Sequence, residues 1–89
     1  MALTLIADVY KDAVAMSTAN VMAVANKRAK ELGVDTLNSL ITMTQYIQDG
    51  MMFWRVNYGA KDYLDQRGGD LIIDVDAING KIDRILWGQ

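Results

Sequence analysis

The 89-residue sequence contains no histidine, no cysteine and no proline, and each absence removes a class of answers. Without histidine or cysteine the usual ligands of zinc, haem and most transition metals are missing, and so is the commonest general base. No metal and no cofactor is expected. A disulfide framework and thiolate chemistry are equally ruled out, which leaves the redox compartment open. Ser17 and Ser39 have no imidazole to activate them, and the spacing of the eleven acidic residues singles out no catalytic pair. The expectation is therefore a protein that is not an enzyme. Charge of one sign is not in excess either: nine basic and eleven acidic residues leave a net charge of −2, with no overall field for nucleic acid. Long apolar runs are lacking too. In the first ten residues no basic residue precedes the apolar ones, and Asp8 interrupts them far short of the roughly 18–20 that a membrane span needs. Neither a signal peptide nor membrane insertion is expected of the chain as it stands. It would be cytoplasmic if complete, and periplasmic or secreted if a signal peptide has been removed.

What is present is the composition of an ordered globular protein, 52% hydrophobic and 22% charged. A chain of this length forms a single domain, residues 1–89, and buries only about 60–65% of the surface its unfolded form exposes. Stability is therefore expected to be marginal unless a partner protein or a second copy, as a homodimer, covers apolar surface.

Leu3, Ile6, Tyr10 and Ala13 or Val14 recur at helical spacing, with Asp8, Lys11 and Asp12 on the other side. Ser17 and Thr18 read as N-caps of a second helix from about Ala19 to Leu32, ended by Gly33. Its stripe of Met22, Ala25, Ala29 and Leu32 is small enough for close approach to a sheet. Lys27, Arg28 and Lys30 suit the negative end of the helix dipole and read as a solvated face. From residue 40 the pattern changes to strands. Leu40 to Ile47 is rich in strand-forming residues, Asp49-Gly50 is a hairpin dipeptide, and Met52, Trp54, Val56 and Tyr58 alternate against Met51, Phe53, Arg55 and Asn57. Leu71, Ile73 and Val75 alternate inward with Asp74 and Asp76 outward. Asn79-Gly80 predicts a type I′ hairpin into a last strand carrying Ile82, Ile85, Leu86 and Trp87. The fold class predicted is α+β, with helical segments over 3–32 packed on an antiparallel sheet of about four strands over 40–87.

Residues 59–70 are longer than a tight hairpin needs and mix charges of both signs with Tyr63. With Arg55 on the neighbouring strand, Lys61, Asp62, Tyr63, Asp65 and Arg67 form the predicted partner-binding set, because interfaces favour tyrosine and arginine. Two apparent motifs fail. Asp74-x-Asp76 opens like a calcium loop, but Ile78 takes the third ligand position and Ile85 stands where a bidentate glutamate is required. Gly68-Gly69 lacks the strand–loop–helix setting of a phosphate cradle.

Trp54-Arg55-Val56, Gly68-Gly69, Leu71 to Asp76, Asn79-Gly80-Lys81-Ile82 and the final Gly88-Gln89 together carry a resemblance. After an alanine-rich helix, this pattern resembles small bacterial immunity proteins of the cystatin-like, nuclear-transport-factor type, over roughly Ala19 to Gln89. The helix, strands and hairpin ending are also similar to PepSY modules, which are secreted or membrane-linked inhibitory domains. Either resemblance implies a helix on an antiparallel sheet and a non-catalytic module that inhibits, sequesters or occludes another protein, a toxin or an enzyme. A small-ligand-binding domain of the cystatin-like fold is the alternative from another class.

Overall fold

The computed structural model describes residues 2–60 and 70–88, as two helices, a short 3-10 turn and four strands. Helix α1 spans Ala2–Lys11 and helix α2 spans Ala13–Glu31, with Asp12 between them. The Asp12 side chain accepts a hydrogen bond from the Ala15 amide at 3.0 Å, and its backbone is extended. Asp12 is thus the N-cap, and the break expected at Ser17-Thr18 lies five residues earlier. Thr18 turns its hydroxyl back to the Ala15 carbonyl instead, at 2.9 Å, which a threonine inside a helix can do without ending it. The far end of α2 stops as expected. Gly33, at φ +91°, donates to the Lys30 carbonyl and Val34 to the Ala29 carbonyl, the paired bonds of a glycine-terminated helix.

After a 3-10 turn at Thr36–Asn38 come β1 (Ser39–Gln48), β2 (Met51–Ala60), β3 (Leu71–Asp76) and β4 (Ile82–Trp87). They form an antiparallel meander in the order β1-β2-β3-β4. At the first hairpin Asp49 and Gly50 both adopt positive φ, 54° and 77°, as a two-residue primed turn requires. The second hairpin differs from expectation. Only Gly80 has positive φ, and the Asp76 amide bonds the Lys81 carbonyl around a four-residue loop. Asp76 accounts for the difference, because its carboxylate accepts from the Ile78 and Asn79 amides at 2.7 and 3.1 Å and so folds Ala77 to Asn79 into a wider turn.

One face of the sheet carries Val56, Tyr58, Leu71, Ile73 and Val75, and α2 lies across it with Val21, Ala25 and Ala29 fully or nearly buried. Met22, Leu32, Val34, Ile41, Met43, Trp54, Ile82 and Ile85 pack against this core. Alanine at 25 and 29, each with no exposed surface, brings the helix backbone close to the strands and leaves the contact filled by the sheet's larger side chains. The Tyr58 hydroxyl donates to Asn26 Oδ1 at 2.7 Å, which satisfies it under the helix, and burial pushes its pKa up to about 12. The architecture is the expected α+β one, with helix on one side of a four-stranded antiparallel sheet.

Candidate functional site

Among the described residues no helix lies over the other face of the sheet, yet that face holds a charged residue with no exposed surface. Strand alternation places Arg55 on β2 and Asp74 on β3 opposite the α2-facing residues Val56 and Ile73. The register then aligns Thr44, Arg55, Asp74 and Arg84 as one row across all four strands. Arg84 reaches that row through a bulge. Asp74 pairs with Arg84 and Val75 with Ile82, so Asp83 is the extra residue in β4. Without that insertion, Ile82 and Ile85 could not both face the helix while Arg84 faces the opposite way.

Asp74 is held from three sides. Arg55 donates from Nε to Oδ1 at 2.9 Å and from Nη2 to Oδ2 at 3.0 Å, a bidentate pair. Arg84 donates from Nε and Nη2 to Oδ2 at 3.3 and 3.1 Å, and the Tyr46 hydroxyl donates to the same oxygen at 3.0 Å. Four of these five contacts converge on Oδ2, and Oδ1 accepts the Nε bond of Arg55. Burial by itself would raise the Asp74 pKa, but the hydrogen bonds from Arg55, Tyr46 and Arg84 outweigh it and hold the carboxyl below its ordinary value. In return, the hydrogen bond to Asp74 raises the pKa of Arg55 and of Arg84. Chemically, Asp74 is a poor general base, because its lowered pKa makes it weakly basic and it is enclosed by its neighbours. What its contacts do is hold two guanidinium groups in place.

Those groups remain open to solvent. The Arg55 and Arg84 side chains keep 38% and 44% of their surface exposed, while Asp74 keeps none. Arg55 also lies over the Tyr46 ring at 5.1 Å, and Tyr46 stacks on Phe53 with centroids 5.5 Å apart. The row therefore presents two positive charges over one buried negative charge, flanked by an aromatic pair. The arginines are ordered before any partner arrives.

Of the partner-binding residues expected from sequence, Arg55 is at the centre of this cluster. Lys61, Asp62, Tyr63, Asp65 and Arg67 lie outside the described residues. Asp74, expected to point outward to solvent, faces away from α2 as anticipated but is fully buried by its neighbours. Tyr46 and Arg84 were not anticipated as part of a site; only the strand register reveals that they meet Asp74. Among the described residues no group of three or more acidic, histidine or cysteine side chains is placed to hold a metal ion, and no helix is long and apolar enough to cross a membrane. Comparison with protein-family models, curated proteins and solved structures finds no match for the chain.

Proposed function

We propose that the chain is a non-catalytic protein-binding module that sequesters or occludes a partner protein through the face of its sheet that turns away from α2. The observation that carries this reading is the Tyr46–Arg55–Asp74–Arg84 cluster. A fully buried aspartate beneath two half-exposed arginines is costly to assemble for stability alone, because desolvation of the carboxylate offsets much of the attraction. What it achieves is preorganisation, since arginine side chains already fixed in place lose less entropy on binding. Arginine and tyrosine are also the side chains that most often anchor interfaces. With two cations against one anion, the surface complements an acidic patch. An immunity-type protein protecting against a toxin is the first form of this reading, and a PepSY-type inhibitory module is the second. A cystatin-like ligand-binding domain has less support, because the helix and sheet are closed on each other at Ala25 and Ala29.

The test is a comparative pull-down from the source cell, read by mass spectrometry, with the parent chain and Arg84→Ala as baits. Arg84 makes the longer contacts to Asp74, so its loss leaves the bidentate Arg55 pair intact. The reading expects a protein enriched by the parent and lost from the variant, with both baits equally folded by circular dichroism. Equal recovery of every captured protein by both baits would refute it.

A further inference from the structure

The two edges of the sheet are built differently, and the difference points to a second copy of the chain. Strand β4 carries the usual guards against edge pairing: a bulge at Asp83, with Asp83 and Arg84 in the strand and Lys81 just before it supplying charge. Strand β1 carries none of them. It is ten residues long, pairs with β2 in continuous register from Ser39 to Gln48, and has no proline or charged residue in SLITMTQYIQ. Among the described residues no strand pairs with its outer side.

The ladder identifies which backbone groups are left over. A two-residue hairpin closes on a hydrogen-bonded pair, here Gln48 with Met51, and bonded pairs alternate from there. Ser39, Ile41, Met43, Gln45 and Ile47 consequently aim their N–H and C=O groups away from β2. The bond from the Ala77 amide to the Met52 carbonyl agrees with this phase, because it shows Met52, opposite Ile47, turned toward β3.

We infer that the chain forms a homodimer by antiparallel pairing of β1 with β1 of a second copy about a two-fold axis, making a continuous eight-stranded sheet. Three observations favour a second copy as the occupant. An isologous pair requires a strand that complements itself, and an uncharged one places no like charges across the axis. The lengths match by identity, so with Met43 on the axis each outward-facing group finds a partner from Ser39 to Ile47. The open face then sets Thr42 against Thr44 and Leu40 against Tyr46 of the second copy. Leu40 and Ile47, 45% and 66% exposed, lie on this strand, and Leu37, 83% exposed, lies just before it. There is also area to cover. The chain exposes 6391 Å², whereas a compact monomer of its mass exposes roughly 5200 Å². That excess of about 1200 Å² is a total for the whole chain, with Tyr10, Val14, Ile78 and Trp87 contributing as well as the β1 edge, and a standard interface covers roughly 800 Å² per partner.

Sedimentation equilibrium and amide hydrogen exchange test the inference on the full chain. At about 100 μM, where a dimer of micromolar Kd is more than nine-tenths formed, the parent is expected at twice the 9.9 kDa of one chain. Amides of Ile41, Met43 and Gln45 are expected to gain protection as concentration rises. Gln45→Pro removes one outward donor without touching the ladder to β2, and Thr42→Lys adds the guard that the edge lacks. Both positions are exposed, so each variant is expected to stay folded by circular dichroism and to sediment as a monomer. A parent that stays monomeric at this concentration overturns the inference. So does a parent dimer that persists in whichever variant is folded, because its interface then lies elsewhere.

Discussion

Replacing Arg55 by alanine tests whether the buried aspartate is held in the way its geometry implies. Removing one partner of a fully buried ion pair typically costs about 3–5 kcal/mol. Two features reduce that figure here. The Arg55 side chain is 38% exposed, so solvent already screens part of the attraction, and Tyr46 and Arg84 still bond Asp74 after the substitution. A loss of about 2 kcal/mol remains, corresponding to roughly 10 °C in Tm for a domain of this size. Thermal melts by circular dichroism at pH 7 measure it, with Arg84→Ala expected to lose less because its contacts are longer and end on one oxygen. The pH dependence supplies a second check. Because the folded pKa of Asp74 is depressed, its stabilisation is present above the ordinary carboxylate value of about 3.9 and is lost as pH falls through the lower folded value. The difference in Tm between the parent and Asp74→Asn is therefore expected to hold constant above about pH 5 and to close progressively below pH 4. An Arg55→Ala melt within about 2 °C of the parent, or an Asp74→Asn difference unchanged down to pH 3, would refute the reasoning.

Two further substitutions probe the helix-covered face. Ala25→Asp places an unpaired carboxylate where no surface is exposed, and is expected to cost at least about 4 kcal/mol and abolish a cooperative melt near room temperature; a melt near that of the parent would contradict the packing of α2. Tyr58 has a folded pKa raised to about 12, so its stabilising effect is complete below the unfolded value near 10 and declines as pH rises through 12. Absorbance titration at 295 nm should show a late phenol ionisation that disappears in Tyr58→Phe. At the helix junction, Asp12→Ala removes the N-cap of α2 and is expected to lower stability by about 1 kcal/mol, whereas Ser17→Ala should have a smaller effect on the melt.

The pattern of apolar residues makes the helix-covered side of the fold legible. Met22, Ala25 and Ala29 recur at helical spacing, Val56, Tyr58, Ile73 and Val75 alternate, and all meet in one core. Asp49-Gly50 is legible because few dipeptides tolerate two positive φ angles. Asn79-Gly80 misleads because a side chain three residues earlier, Asp76, captures the turn amides and changes the loop length. The start of α2 is misplaced for a similar reason: Asp12, Ser17 and Thr18 can all cap a helix, and tertiary context decides among them. The candidate site was the least legible part. Whether Arg55 meets Asp74 depends on the β2–β3 register, and the connection between those strands is too long for turn geometry to fix it. A clue does exist in β4. Ile82 and Ile85 are three residues apart, so both can face the helix only if the strand bulges between them, and that bulge places Arg84 beside Asp74.

The neutral edge and the charged row acquire a joint consequence once the edges pair. A two-fold axis perpendicular to the sheet keeps both helices on one side, so the two open faces merge. Strands lie about 4.8 Å apart, which sets the two β2 strands roughly 14 Å from each other across the axis, with an Arg55 on each. A partner whose acidic surface straddles the axis would engage both clusters at once, and the second contact would form at the high effective concentration of an attached site. Monomeric Gln45→Pro substitutes no residue of the cluster and, apart from the Gln45 side-chain bond to Met52 Sδ, removes only that second contact. Its affinity for a partner captured by the parent is therefore expected to fall by roughly ten- to a hundredfold. Surface plasmon resonance with the partner immobilised at low density measures this as a faster dissociation rate. Equal dissociation rates for dimer and monomer would mean that one cluster suffices and that pairing of the edges serves stability alone.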